Sequence, residues 1–346
     1  MQKKILSSIQ QINIKDLCQF ENLIESKALS EIIIKADKIS FAIDIGILEI
    51  DSKTAQILVE KIQKQLKNVS DFPVNIILTK SQAQIQEKPK AAEHKIVKGV
   101  KKIIVVASGK GGVGKSTIAV NLAISLKRIG YKVGLADADI YGPSIAYLMN
   151  LKGKPENEGN LMIPISSYGI DCISVGSLVE ASKASVWRGP MVTKVLTQLI
   201  AGTKWNDIDY LIIDLPPGTG DVHLSLIQQF KPDGVVLVST PQTLAVIDVI
   251  KAVDMFHTLQ TPILGVIQNM AYLRNEKGEK NYIFGQTAVK DMAKDFSIKI
   301  LSEIPIDPQI NQANDDRSPI CNSNPSHPIA FEFGRIAEDV VDLLKL

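Results

Sequence analysis

Residues 109–117 read Gly-Lys-Gly-Gly-Val-Gly-Lys-Ser-Thr, and they limit the possible folds more than any other stretch of the chain. They follow the apolar run 103–107 and precede residues 118–126. The first run has no polar interruption, as a parallel strand covered on both faces requires. The second carries apolar residues at helical spacing. A glycine-rich turn that closes a strand and opens a helix is the setting in which a phosphate loop forms. Gly109, Gly111, Gly112 and Gly114, with Val113 between them, let main-chain N–H groups turn inward around an anion. The next helix points its positive end at the same place. The spacing assigns Lys115 to the β- and γ-phosphates of ATP and the Ser116 hydroxyl to Mg²⁺, with Thr117 leading into the helix. A flexible glycine turn is the alternative.

The chain has 346 residues, room for two domains or one large α/β unit. An apolar content of 45% can fill a large core, and a net charge of +2 gives no strong field for nucleic acid or an anionic membrane. No stretch approaches the roughly 18–20 continuous apolar residues of a membrane span. Residues 1–11 lack the apolar core of a secretory signal. The expectation is a cytoplasmic protein with no nucleic-acid and no membrane partner. Cys18, Cys172 and Cys321 are isolated, with no Cys-x-x-Cys pair, so they form neither a disulfide framework nor a local metal site.

Residues 1–80 read as a small α+β domain. Helical pattern covers 1–11, β pattern 28–36 and 39–48, helical pattern 52–66 with Asp51 or Ser52 as its cap, and β pattern 74–78. This order is similar to the small domain fused ahead of many iron–sulfur assembly ATPases; a partner-docking module without chemistry is the alternative. Residues 81–98 are polar, rich in Lys and Gln and without periodicity, and read as a linker. In residues 99–346, strand-like runs at 132–136, 169–175, 209–213, 234–239, 263–267 and 299–304 alternate with helical ones. That alternation predicts an α/β fold with a doubly wound, mostly parallel sheet. Cys172, on one of these strands, reads as core filling.

Two of the runs end in acids. Residues 132–136 lead into Asp137-Ala138-Asp139, at the mouth where parallel sheets bind ligands. Residues 209–213 lead into Asp214, the pattern of a carboxylate that holds Mg²⁺ through water. Solvated loop acids are the alternative for Asp137 and Asp139. Asp221, at the end of the glycine-rich run 215–221, reads equally well as a helix cap.

Lys110, a second lysine inside the loop, resembles the deviant Walker A of the MinD, ParA and nitrogenase iron-protein superfamily. The resemblance implies a MinD-like P-loop NTPase that forms a nucleotide-sandwich homodimer, with Lys110 reaching the partner's nucleotide. It further implies that Asp139 orients the attacking water beside Lys115, and that Asp137 joins Ser116 and Asp214 around Mg²⁺. Asn269 would read the adenine edge, and Pro305 and Asp307 would lie in the loop covering the base. The strings Asp137-Ala138-Asp139-Ile140-Tyr141-Gly142-Pro143-Ser144 and Trp187-Arg188-Gly189-Pro190-Met191-Val192 are similar to the Mrp/ApbC family of iron–sulfur cluster carriers. Arg188 would serve a dimer face or a partner, or be an ordinary surface arginine. This second resemblance covers roughly residues 95–346. It implies a [4Fe–4S] cluster held between subunits by Cys-x-x-Cys pairs, and iron–sulfur scaffold or client apoproteins as partners.

The chain departs from that pattern where those cysteines belong. Residues 272–280 read Tyr-Leu-Arg-Asn-Glu-Lys-Gly-Glu-Lys, and Asn, Glu and Lys are poor substitutes for thiolates. No iron–sulfur ligand is identified. Two functions remain: a slow ATPase acting in iron–sulfur cluster assembly and transfer, or a cluster-free MinD/ParA-like switch that docks a partner. The acidic segment 330–346 argues against a basic membrane-binding helix. A metabolic kinase accounts for neither Lys110 nor the two acidic strings.

Overall fold

The computed structural model describes residues 2–26, 28–30, 32–35, 38–70, 72–79, 95–178 and 189–345. The chain divides into two compact units, Met1–Ala91 and Ala92–Leu346.

The first unit holds α1 (Gln2–Gln10), β1 (Ile33–Lys35), β2 (Lys38–Asp44), α2 (Ser52–Lys67) and β3 (Val74–Thr79). Its sheet runs β1-β2-β3, with β1 antiparallel and β3 parallel to β2. The alternation in β2 turns Ile39, Phe41 and Ile43 onto a core that Ile5, Ile9, Leu58, Ile62 and Leu66 complete from the two helices. Asp51 caps α2 by accepting from the Thr54 amide at 2.8 Å.

The second unit continues with β4 (Val100–Ser108), α3 (Lys115–Arg128), β5 (Val133–Asp137), α4 (Ile145–Leu148), β6 (Asn157–Glu158), β7 (Leu161–Met162), β8 (Ile165–Ser167), β9 (Ile170–Ser174) and α5 (Val175–Leu178). There follow α6 (Gly189–Ala201), β10 (Ile208–Asp214), α7 (Asp221–Phe230), β11 (Gly234–Ser239), α8 (Thr243–Thr258) and β12 (Ile263–Gln268). The chain closes with β13 (Leu273–Arg274), β14 (Lys280–Asn281), α9 (Ala288–Asp295), β15 (Ile300–Glu303), α10 (Pro308–Asp315), α11 (Ile320–Ser323) and α12 (Pro328–Lys345).

Among the described residues the central sheet has eight strands in the order β15-β12-β11-β4-β10-β5-β9-β8. All pairings are parallel except β8 with β9. Helices cover both faces, so successive residues 103–108 of β4 are all buried: Ile104 and Val106 face α3 and α12, while Ile103, Val105 and Ala107 face the layer of α6, α7, α8 and α9. The chain leaves β4 toward β5 and later returns to place β11 on the other side of β4. That reversal opens a crevice at the carboxyl ends of the strands.

Several expectations change. Residues 95–98 belong to the second unit rather than to a linker: the Lys95 amide donates to the Gln229 carbonyl at 2.8 Å, and Val97 is buried in the core. The rest of the expected linker, 81–94, lies outside the described residues, as do Trp187 and Arg188. Asp221 is the first helical residue of α7, and Gly220 is the cap; the acid sits in the first turn, where the helix dipole favours it. Cys172 is fully buried within the core, as a small apolar residue would be. No helix among the described residues is long and apolar enough to cross a membrane.

Two phenylalanines of α12 separate packing from exposure: Phe333 is fully buried and Phe331 is 61% exposed. Phe333→Ala should lower unfolding stability by about 3–5 kcal/mol. Phe331→Ala should change it by less than about 0.5 kcal/mol. Denaturant titration of the full chain checks both.

Candidate functional site

The loop between β4 and α3 is built by close approach and by backbone conformations that other residues resist. Gly112 and Gly114 have φ of 80° and 86°, the left-handed region that a Cβ disfavours. A Cβ on Gly114 would lie 2.3 Å from Nδ2 of Asn269, and one on Gly109 would lie 2.2 Å from the Asp248 carbonyl carbon in α8. The loop is thus clasped by the Asn269 turn on one side and by α8 on the other. Asn269 Nδ2 also donates to the Val113 carbonyl at 2.8 Å.

Charge collects beneath this loop. Lys115 is only 6% exposed. Its Nζ lies 2.7 Å from Oδ1 of Asp214 and 3.6 Å from Oδ2 of Asp139. The Ser116 hydroxyl donates to Oδ2 of Asp214 at 2.6 Å. Register explains the meeting: Asp214 ends β10 and pairs with Val106 of β4 on one side and with Asp137, the end of β5, on the other. Burial pushes the Asp214 carboxyl above the usual carboxylate range, against the pull of the Lys115 ammonium and the Ser116 hydroxyl. Asp139 accepts from the Gly142 amide at 3.2 Å.

Asp137 is used differently. Its oxygens accept from the Asp139 amide (3.1 Å), the Ile145 amide (3.1 Å) and the Ser174 hydroxyl (2.8 Å). It folds the 137–145 loop and pins it to β9. Burial, then the neighbouring Asp214 charge, push its carboxyl up to about 7, opposed by those hydrogen bonds and by Lys115.

A cavity of about 480 Å³ opens over the loop, lined among others by Lys110, Lys115, Ser116, Asp139, Tyr141 and Pro217. It has inward glycine turns, a buried ammonium, a hydroxyl and hard oxygen donors, which suit a polyphosphate with a hard divalent cation. Among the described residues no group of three or more His, Cys, Asp or Glu could by itself enclose a metal. Mg²⁺ needs none, since it keeps water and takes phosphate oxygens; Ser116 and Asp214 provide the right donor chemistry, whereas Asp137, expected to join them, has its oxygens taken up by two amides and a hydroxyl. Pro305 and Asp307 are not in this cavity. They line a separate one of about 500 Å³ with Tyr272, His327 and Glu332, and Asp307 caps α10 by accepting from the Gln309 amide at 2.8 Å.

His223, Ser174 and Asn314 also belong to this end of the sheet, and no motif marks them. His223 in α7 is buried, and its Nε2 lies 2.7 Å from the Pro216 carbonyl. That geometry makes Nε2 the donor and leaves Nδ1 buried without a partner. Burial holds the imidazole below its usual value and therefore neutral. Asn314 donates to the Thr117 hydroxyl at 3.2 Å, while its Oδ1 is buried and unpaired.

The family described as "ParA: NUBPL iron-transfer P-loop NTPase" matches residues 99–341. An iron–sulfur cluster carrier protein of Rickettsia conorii is 40% identical over 324 residues, covering 93% of this chain and 95% of its own. The iron–sulfur cluster transfer protein NUBPL of Mus musculus is 44% identical over 257 residues, covering 73% and 81%. A solved nucleotide-binding protein of Archaeoglobus fulgidus, in complex with ADP, superposes with a TM-score of 0.57 at 37% identity, over 64% of this chain and 88% of that one.

The environment of Asp137 has a pH signature. Its native pKa of about 7 lies above the ordinary 3.8, so between those values the folded chain holds a proton that the unfolded chain releases. The group's contribution to stability therefore falls as pH rises from about 4 to 7 and is level above that. Asp137→Asn should remove this fall, and the difference between the two proteins' unfolding free energies across that window measures it.

Proposed function

The chain belongs to the NUBPL-type iron-transfer P-loop NTPase family, and from that premise we propose that it is a slow, dimer-dependent ATPase acting in iron–sulfur cluster assembly or transfer to client apoproteins. The observation that carries the reading is the cluster of buried Lys115, Asp214 and Asp139 with half-buried Ser116 under a glycine loop. A bare ammonium and two carboxylates at this depth are stable only as partners of one another. A triphosphate provides the alternative partner for Lys115. The ammonium exchanges Asp214 for phosphate oxygens, and Ser116 and Asp214 are then free to hold Mg²⁺. That ion supplies charge neutralisation at the phosphates when bound.

The chain's own residues do the rest. Main-chain amides of 110–117 bind the phosphates, and Lys115 and Lys110 neutralise the charge that builds up during transfer. Asp139, on the cavity wall and fixed by the Gly142 amide, orients the attacking water. Asp137 keeps that loop in shape. The Gly218 amide, now donating to the Ser108 carbonyl at 2.9 Å, lies on a loop that can sense the γ-phosphate. Lys110 acts across the interface with a second copy. Asn269 is assigned to the base with its carbonyl oxygen, since its Nδ2 already holds Val113. The relatives' names, iron–sulfur cluster carrier and transfer proteins, support client apoproteins as partners.

Lys115→Ala should lower ATP turnover by about 100-fold or more, and Asp139→Asn should do so while nucleotide still binds. Lys110→Ala should retain binding but lose turnover together with nucleotide-dependent dimerisation. Phosphate release and analytical ultracentrifugation test these; a Lys115→Ala protein as active as its parent refutes the assignment.

A further inference from the structure

The chemistry of the cargo places a demand on the carrier. A [4Fe–4S] cluster is held by about four thiolates, so two identical chains sharing one must each present two. The sequence has three cysteines, Cys18, Cys172 and Cys321. All three lie among the described residues and are free.

Two of them are unfit as ligands. Cys172 on β9 and Cys321 on α11 are each 0% exposed and belong to the core packed around α3. Cys172 Sγ makes its polar contact with its neighbour, the Ile170 carbonyl, at 3.5 Å, and Cys321 Sγ accepts from the Ser125 hydroxyl at 3.5 Å. Burial pushes the Cys172 thiol far up and the Cys321 thiol to about 12, whereas metal ligation needs the thiolate. Cys18 sits in the first unit, half-buried, with its Sγ 3.6 Å from the Ile14 carbonyl. One such cysteine per chain supplies two thiolates per pair of chains, half of what the cluster takes.

The segment that follows Asn269 is no open ligand loop either. Leu273–Arg274 and Lys280–Asn281 pair as a hairpin. Its turn satisfies itself: the Asn275 amide donates to the Glu279 carbonyl at 3.1 Å, and Asn275 Nδ2 to the Glu279 carboxylate at 2.8 Å. Arg274 and Lys280 both lie over the Tyr272 ring, at 5.2 and 4.2 Å from its centre. The loop presents two cations where soft anions would be needed.

We infer that this chain cannot hold an iron–sulfur cluster with its own thiolates: any cluster moved with its help is held mainly by thiolates of another polypeptide, and this protein supplies the nucleotide-driven step. The inference rests on the reading of the protein as an ATPase of iron–sulfur assembly, and it deepens that reading by naming the partner chemistry, a thiolate-bearing protein.

The test uses the full chain, incubated anaerobically with ferrous iron, sulfide and a thiol reductant, desalted, and assayed for iron, for acid-labile sulfide and for charge-transfer absorption. The expected result is at least about twentyfold less iron than the two per chain that a shared four-iron cluster requires, with no absorption band. In the native chain without reductant, a thiol reagent should react rapidly with at most one cysteine. Iron near two per chain with the band, lost in Cys18→Ser or Cys172→Ser, overturns the inference, as does rapid reaction of two or more thiols. ATP turnover in the same sample keeps the two readings apart. Turnover without iron uptake supports both, and iron uptake with turnover overturns this inference alone. Absence of both overturns the ATPase reading and with it the nucleotide-driven half of this inference, and supports only the statement that the chain's own thiolates do not hold a cluster.

Discussion

A carboxylate with no contact to solvent, Asp214, governs the arrangement of everything at the carboxyl end of the sheet. A buried charge is costly unless it is paired and hydrogen-bonded, and Asp214 obtains both from adjacent residues of one element: the ammonium of Lys115 and the hydroxyl of Ser116 at the start of α3. Those two residues can reach it only because β10 lies directly beside β4. The demand of one side chain therefore selects the strand order, the direction of α3 and the depth of the glycine loop. The chain has an internal counter-ion for its lysine, which a stronger anion can displace.

Around this pair the fold separates rigid from adaptable parts. Residues 103–107 of β4, 211–213 of β10 and 235–238 of β11 are buried and apolar, and the polar groups come at the strand ends. The groups at those last residues differ in how fully they are committed. Asp137 has spent its oxygens on two amides and a hydroxyl, while Asp139 keeps a face toward the cavity. Neighbouring acids of the same loop thus have unlike duties, one architectural and one facing the chemistry. Their electrostatic surroundings follow from that division.

Much of this was legible in the amino-acid order, for identifiable reasons. A parallel strand covered on both sides must be continuously apolar, so the runs ending at Ala107, Ala136 and Ile213 announce themselves. The glycines announce the loop because only they tolerate its left-handed positions and the 2.2–2.3 Å approaches that a Cβ would make to Asp248 and Asn269. Contacts between residues far apart in sequence left no such trace. Nothing local pairs Ser174 with Asp137, His223 with the Pro216 carbonyl, or Asn314 with Thr117. Helices α9, α10 and α11 are too short for periodicity to stand out. Residues 95–98 look polar enough for a linker, yet one buried valine and one backbone hydrogen bond tie them down. Asn269 was legible as a site residue, but its grip on the Val113 carbonyl was not.

Helix α7 begins immediately after the Pro-Pro-Gly-Thr-Gly loop, is fastened to that loop by His223, and near its far end receives the Lys95 amide on the Gln229 carbonyl. The segment by which the chain enters this unit is therefore anchored to the element that starts at the Pro-Pro-Gly-Thr-Gly loop. A helix ten residues long is about 15 Å of stiff rod. One rod thus ties the loop at its first turn to the segment by which the polypeptide enters the unit near its other end.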